Sequence, residues 1–252
     1  MNVHKHPISA ACGIQYCQMD SFIIGMNVMR IIPEYFEFAE LGKYIIAGTI
    51  LKPDLIYWST SGFPFLNHKL SVCNCTSILC ATNIKYTLSL SAVSIKIAED
   101  MPEIATYGFN KSNHELDRLA RECNHYSHLK NDTRLHSNTA DKIYSLWMHN
   151  CAAGKKANKI FVMRHKESIQ GMITCILYDN KAHISLIAVD QKMQKKGIGT
   201  KLINAVMLYA IERGCDSIEV ITQQNNFPAR MLYEKCGFKP GISYRQYHLW
   251  PL

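Results

Sequence analysis

Residues 183–199, HISLIAVDQKMQKKGIG, restrict the fold more than any other stretch of this chain. Ile184 to Val189 is an apolar run of strand length, and Thr200 to Arg213 follows with helical periodicity. Gly197 and Gly199 stand where that helix opens. Glycines at a helix start leave backbone N–H groups bare and let a ligand's oxygens come close. The helix dipole adds roughly half a positive charge at the same end. Lys192, Lys195, Lys196 and Lys201 add full charges around it. A strand, basic loop and helix of this kind make an anion cradle in an α/β chain.

The spacing narrows what the cradle holds. A dinucleotide fingerprint requires a third glycine three positions after the second, and that position is Leu202. A P-loop requires Gly, four residues, then Gly-Lys-Ser/Thr, which is absent. What remains is Gln194-x-x-Gly197-x-Gly199 after an apolar strand. Downstream come a strand, Ser217 to Thr222, and the segment Asn226-Phe-Pro-Ala229-Arg-Met-Leu232-Tyr233-Glu-Lys-Cys-Gly237-Phe238. The pair resembles the coenzyme A pyrophosphate loop and the Asn-x-x-Ala-x-x-Leu-Tyr-Glu-Lys-x-Gly-Phe signature of the GNAT acetyltransferases. The resemblance is fullest from His183 to Trp250, weaker from Val93 to Asn180, and thin before that. It implies an α/β (α+β) fold with a mixed, splayed central sheet, in the order β-α-α-β-β-β-α-β-α-β-β.

The composition is compatible with that reading. A chain of 252 residues, 48% hydrophobic and 19% charged, can bury a large core as one or two domains. The net charge of +8 suits a phosphorylated ligand. No stripe of Lys/Arg interleaved with aromatics appears, so no nucleic-acid partner is expected. MNVHKHPISAACG lacks the apolar core of a secretory signal. Phe22 to Ile32 and Tyr44 to Trp58 are broken by charges and fall short of the ~18–20 clean residues of a membrane span. Ten scattered cysteines read as reduced thiols in a cytoplasmic enzyme. Cys73-x-Cys75 with Cys80 and His68 is a poor match to zinc knuckles, and no metal is expected.

Helices are expected around Glu115–Cys123 and after Asn138, with Ile143, Leu146 and Trp147 on one face of the second. Strands are expected over Lys159–Arg164 and Ile169–Tyr178, with a turn at Asp179-Asn180. Ile95 to Ile104 reads as a strand followed by a capped helix start, with Asp100 as N-cap and Pro102 in the first turn. A boundary near Ser91 then divides a smaller N-terminal α/β accessory domain, residues 1–90, from the acetyltransferase domain, residues 91–252.

Within the N-terminal part, Met19-Asp20-Ser21-Phe22-Ile23-Ile24-Gly25 resembles the Trp-Asp-Ser-x-Phe-Phe-Gly opening of acetyltransferases of the TDP-fucosamine (dTDP-4-amino-4,6-dideoxygalactose) type. The loop Tyr126 to Leu135 is similar to that group's Ser-Arg-Phe-x-x-Asp-Pro-Arg-Phe. Leu146-Trp147-Met-His-Asn150 and Tyr247-His248-Leu249-Trp250 are similar to its other two landmarks. Met19, His128 and Thr133 depart from that pattern, which touches the identity of the sugar more than the reaction.

The resemblance assigns roles. Backbone groups of Leu186, Ile187 and Val189 would pair with the pantetheine arm as an added strand does. Gln194, Lys195, Lys196, Gly197, Ile198, Gly199 and Thr200 would meet the pyrophosphate. A backbone N–H near Ile187–Val189 would face the thioester oxygen as it gains charge. Tyr233 would protonate the departing thiolate, since a phenol pKa near 10 exceeds that of the thiol; core packing is the other reading. Asn226 would contact the cofactor arm or cap its helix. Arg134, Gln223 and Tyr247 would hold a nucleotide-sugar, arginine being suited to pyrophosphate; a surface charge is the other reading of Arg134. Glu219, His183 and His248 are candidate bases, with a water relay, and a structural role for each, as the other readings. The implied reaction moves acetyl from acetyl-CoA to the amine of a nucleotide-linked amino-dideoxy sugar in surface polysaccharide biosynthesis. Another small amine, a protein N-terminus, or acyl-CoA binding without catalysis are the alternatives, and the oligomeric state, a homodimer included, stays open.

Overall fold

The computed structural model describes residues 14–31, 54–61, 75–91, 103–108 and 112–252. They divide into two compact units that interleave along the chain. The larger takes residues 83–127 and 140–242, the smaller 1–82, 128–139 and 243–252.

In the larger unit the strand order is β4 (Cys75–Ser89, from Asn83 on), β9 (Ser217–Gln223), β8 (Lys181–Val189), β7 (Ser168–Tyr178), β6 (Lys159–His165), β5 (Ile104–Thr106). β4 runs antiparallel to β9, and β8 antiparallel to β7. β8 and β9 are parallel, joined through the helix α4 (Ile198–Glu212). A parallel pair needs such a crossover, and this one returns the chain beside the strand it left.

Each face of the sheet is covered. On one, α4 and α5 (Phe227–Lys235) bury Leu202, Val206 and Tyr233 against Ile173, Ile184 and Val220. On the other, α2 (His114–Glu122) and α3 (Thr139–Ala152) pack Leu116, Leu119, Met148 and Cys151 against Val162, Met172 and Leu186. The helices follow from the sequence directly. In α2 the apolar residues Leu116, Leu119 and Ala120 recur at helical spacing. Asn113 caps its start, accepting the Leu116 N–H at 2.9 Å.

Two sequence expectations differ from the structure. Ile104, expected in a helix start, opens β5 and pairs with Met163. The outer edge of β6 needs a partner, and three residues suffice to supply one. Two closing strands were expected, and a single strand, β10 (Lys239–Pro251), is present. It runs through Gly241 without interruption. The expected strand at Ile95 and the Asp100 cap lie outside the described residues.

In the smaller unit β1 (Ile14–Tyr16) pairs with β2 (Val28–Ile31) around the short helix α1 (Gln18–Ile24). β2 runs parallel to β3 (Leu55–Thr60), and β3 antiparallel to β10. Its apolar core holds Met29, Ile31, Ile56, Trp58, Cys75, Tyr247 and Leu249. No helix among the described residues is long and apolar enough to cross a membrane.

Candidate active site

The larger unit places the sequence-derived residues around a gap between β8 and β9. The two strands pair only from Lys181↔Ser217 to Ile184↔Val220. Beyond that point β8 stays bonded to β7, from Leu186↔Thr174 to Val189↔Gly171. β9 stays bonded to β4, from Val220↔Tyr86 to Gln223↔Asn83. The facing edges therefore separate, and backbone polar groups between them invite an extended ligand.

A bulge sets this geometry. Register slips between Thr174 and Cys175, so Ser185 has no partner on β7. Side chains alternate faces along a strand, and one extra residue inverts the alternation. Thus Ala182 and Ile184 face the α4–α5 layer, while Leu186 and Ala188 face α2 and α3. Thr174 stabilises the bulge by meeting Ser185 Oγ at 2.7 Å and accepting the Leu186 N–H at 3.0 Å.

Three of the anticipated backbone positions are thus partly engaged. The Leu186 N–H is held by Thr174, and the Ile187 carbonyl accepts the Cys123 thiol at 3.3 Å. The Val189 carbonyl accepts Gln194 Nε2 at 3.2 Å, so Gln194 ties the loop back to the strand.

The loop from Gln194 to Gly197 is exposed and Ile198 is buried, anchoring α4. Lys195 and Gly197 both adopt positive φ, 61° and 81°. The position of Gly197 Cβ is open space, as an approaching oxygen requires, while its φ favours glycine. Gly199 serves packing. A Cβ there would lie 2.9 Å from Leu232 Cδ2, so its absence lets α4 close on α5. The two glycines of one motif have separate jobs. Among the lysines, Lys201 is paired with Glu103, and Lys196 Nζ lies against Met193 Sδ at 3.5 Å. Thr200 is half-buried and hydrogen-bonds the Cys236 thiol.

Tyr233 lies on α5 with 3% of its surface exposed, its ring 5.8 Å from those of Tyr86 and Phe238. No described side chain or backbone group bonds its hydroxyl. Burial first, then the neighbouring Cys123 and Cys236 thiols, push the phenol above its usual range, so it stays protonated. Tyr86 is fixed by donating to Glu234 Oε1 at 2.7 Å. Asn226 acts as the cap of α5, accepting the Ala229 N–H at 3.3 Å and donating to Thr222 Oγ1 at 3.2 Å. Gly237, at φ 89°, ends the helix, and the Phe238 N–H closes onto the Tyr233 carbonyl at 3.0 Å.

Cys123, at the end of α2, was not singled out by sequence. It sits with Ile187 and Tyr233, its thiol pushed up to about 12 by burial. Nothing local marks it, because only the packing of α2 on β8 brings it there.

The candidate bases separate. Glu219 is 5% exposed and bound to Lys85 and Lys181, each at 2.8 Å. Burial raises its pKa, but the two ammonium groups outweigh that and bring it to about 2. Such a carboxylate holds no proton at neutral pH. His183, paired across from Glu219, is half-buried with Nδ1 unpartnered among the described residues, and burial lowers its pKa. Gln223 Nε2 donates to Asn83 Oδ1 at 3.4 Å.

Arg134, Tyr247 and His248 belong to the smaller unit. Arg134 is exposed, its guanidinium 5.5 Å from the Trp250 ring centre. Tyr247 is 1% exposed and packs on Trp58 at 5.4 Å. Of the cysteine–histidine group considered for zinc, His68 and Cys73 lie outside the described residues, and Cys75 is in the core. Cys80 instead meets Asp132 and His248, with donor atoms within 4.8 Å of one another. His248 Nδ1 and Asp132 Oδ2 are 2.6 Å apart, at hydrogen-bond distance.

A parallel strand pair that opens at its carboxyl end, a glycine turn onto a helix N-terminus, and a protonated phenol make up one constellation. Residues 114–238 match the model of the acetyltransferase (GNAT) family. The chain carries a GNAT acetyltransferase domain. Its fold is that of solved GNAT structures. A GNAT-family acetyltransferase from Novosphingobium aromaticivorans, itself described as putative, superposes with a TM-score of 0.56 at 14% identity over 91% of this chain and 86% of that one. A tandem GNAT protein from the clavulanic acid biosynthesis pathway gives 0.57 at 11% identity, over 89% and 75%. By sequence, the chain is 29% identical over 133 residues to the spore coat polysaccharide biosynthesis protein SpsD of Bacillus subtilis, covering 53% of this chain and 46% of that one. N-alpha-acetyltransferase 30 of Xenopus laevis is 30% identical over 110 residues, covering 42% and 40%. The match thus spans less than half the length of either relative. Acetyl-CoA is the donor used by the GNAT family.

Proposed function

We propose that this acetyltransferase moves acetyl from acetyl-CoA to the amine of a nucleotide-linked amino-dideoxy sugar, of the dTDP-4-amino-4,6-dideoxygalactose type, for a surface polysaccharide. The donor half rests on one observation above others, the parting of β8 and β9 beside the unbonded Tyr233 hydroxyl. Pantetheine would lie along Ile187–Val189, and its pyrophosphate at the Gly197 turn and the N–H groups of α4. As the amine attacks the thioester carbon, the C–S bond breaks and Tyr233 gives its proton to the sulfur. The acceptor half draws on the sugar-acetyltransferase landmarks around Asp20, Asp132 and His248, and on the likeness to SpsD.

The matching likeness to N-alpha-acetyltransferase 30 favours a second reading, in which the acceptor is a protein N-terminus. Incubating the protein and acetyl-CoA with dTDP-amino sugars and with N-terminal peptides, then weighing the products, separates the two. A mass gain of one acetyl group on a dTDP-amino sugar is the expected result. Acetylation of peptides alone overturns the sugar assignment and leaves the donor half standing.

A further inference from the structure

The edge of β8 that faces the gap carries two carbonyls, and side chains of the larger unit meet both. On the opposite edge, the Asp190 N–H donates to the Gln170 carbonyl at 2.8 Å. Antiparallel ladders alternate bonded and unbonded residues, so Ala188 turns its backbone groups to β7, while Ile187 and Val189 turn theirs away from it. Away from β7 lies the opening toward β9, where the two strands no longer pair. The Val189 carbonyl there accepts Gln194 Nε2 at 3.2 Å, and the Ile187 carbonyl accepts the Cys123 thiol at 3.3 Å. A thiol therefore stands on the edge that an extended ligand would use.

The backbone and a second side chain both point to a sulfur ligand beside it. In an extended residue the N–H and the C=O project to the same side. A thioester whose oxygen is received by the Ile187 N–H thus brings its sulfur next to the thiol held on the Ile187 C=O. Independently, Tyr233 is 3% exposed, and no described group bonds its hydroxyl. A polar group left unbonded at that depth is destabilising unless a ligand atom meets it. Cys123 is near enough to raise that phenol's pKa, second only to burial. Cys123, Ile187 and Tyr233 all belong to the larger unit.

The same surroundings keep Cys123 quiet toward solutes in general. Burial pushes its thiol up to about 12, so roughly one in 10⁵ is a thiolate at neutral pH. Against a disulfide free in solution such a thiol is slow. Against one held beside it the deficit is offset, because positioned groups react with effective molarities of ~10⁵ M and above.

We propose that Cys123 is a covalent attachment site for coenzyme A, formed by exchange with the disulfide form of the coenzyme bound in the same gap. The inference rests on the reading of this gap as a coenzyme A site. The Cys123 sulfur bonds to the sulfur of the coenzyme half in the gap, and the S–S bond of the incoming disulfide breaks. The other half leaves as a thiol carrying the proton that Cys123 gave up. One disulfide is consumed and one is formed, so the exchange needs no further oxidant. The attached coenzyme fills the donor seat and shuts out acetyl-CoA until a thiol reductant releases it. Acetyl transfer is thereby switched off when the coenzyme is oxidised.

The test incubates the full-length protein with coenzyme A disulfide and reads its intact mass. The expected result is a gain of one coenzyme A less two hydrogens, reversed by dithiothreitol. Peptide mapping should place it on Cys123 and not on Cys236, the other thiol that acts on Tyr233. Oxidised glutathione has no pyrophosphate for the Gly197 turn and should react at least ~10²-fold more slowly. Excess acetyl-CoA should protect the protein, and Cys123→Ala should take up no coenzyme at that position while still binding coenzyme A in calorimetry. Equal rates with the two disulfides, attachment only at other cysteines, or no adduct on a wild type that binds coenzyme A overturns the inference and leaves the donor reading standing. A wild type that does not bind coenzyme A at all overturns the reading of the gap and the inference with it.

Discussion

Tyr233 shows how one side chain meets two demands. Its ring fills the core beside Tyr86 and Phe238, while no described group bonds its hydroxyl. Removing the hydroxyl alone separates them. Tyr233→Phe should retain the fold and acetyl-CoA half-saturation but lose ~10²–10⁴ in turnover, or about 3–5 kcal/mol of barrier. A variant with lowered melting temperature and near wild-type turnover would instead mark Tyr233 as packing. Glu219 is the opposite case, a buried acid whose work is structural. Its folded pKa of about 2 lies below the ordinary 4.5. A carboxyl depressed by folding stabilises the protein above its unfolded pKa and loses that contribution as pH falls through the folded value. Allowing for half-exposed lysines, Glu219→Gln should cost about 2 kcal/mol at neutral pH. Denaturation from pH 7 downward should show the gap to wild type narrowing between about pH 5 and 2.

At the scale of elements, the strand–turn–helix of β8 and α4 was legible because each device in it is local. Alternation marks the strand, lysines and glycines mark the turn, and helical spacing marks α4. The same locality limits what the motif reveals. It does not distinguish Gly197, needed for its φ of 81° and the open space at its Cβ, from Gly199, needed for Leu232. Nor does it show the Ser185 bulge, since the flip from Ile184 to Leu186 appears only when β7 is in register. Gly197→Val should therefore strain the turn by ~1–2 kcal/mol and crowd the anion. The expected outcome is a folded protein with a raised apparent constant for acetyl-CoA, measured by steady-state kinetics and calorimetry. Lys192→Ala should change that constant little, because an exposed charge contributes only ~0–1 kcal/mol. Equal effects of the two changes would place the pyrophosphate elsewhere.

Over the whole molecule, contacts distant in sequence carry what a linear reading cannot. His128 and His248 are 120 residues apart in the chain and 2.6 Å apart in space, and a pattern of neighbours along the sequence has no register for such a pair. The same holds for β4. Its strand character is plain from its β-branched residues, but its partner, β9, follows more than a hundred residues later, with Asn83↔Gln223 to Ser89↔Ser217 in register. A linear boundary near Ser91 leaves this strand with the N-terminal segment, whereas the compact larger unit begins at Asn83. The difference is measurable. A fragment of residues 91–252 lacks Ile84, Tyr86 and Leu88, which are buried in the α4–α5 core, and it bares the edge of β9. Burying each such side chain contributes about 1.5–3 kcal/mol, so their loss takes a large part of a domain's ~5–15 kcal/mol. An open strand edge is also a template for association. The fragment should therefore aggregate or unfold without a cooperative transition, while the full chain melts sharply in the same buffer. A monomeric 91–252 fragment that melts cooperatively and binds acetyl-CoA would show instead that β4 is dispensable and that the boundary near Ser91 divides two independent domains.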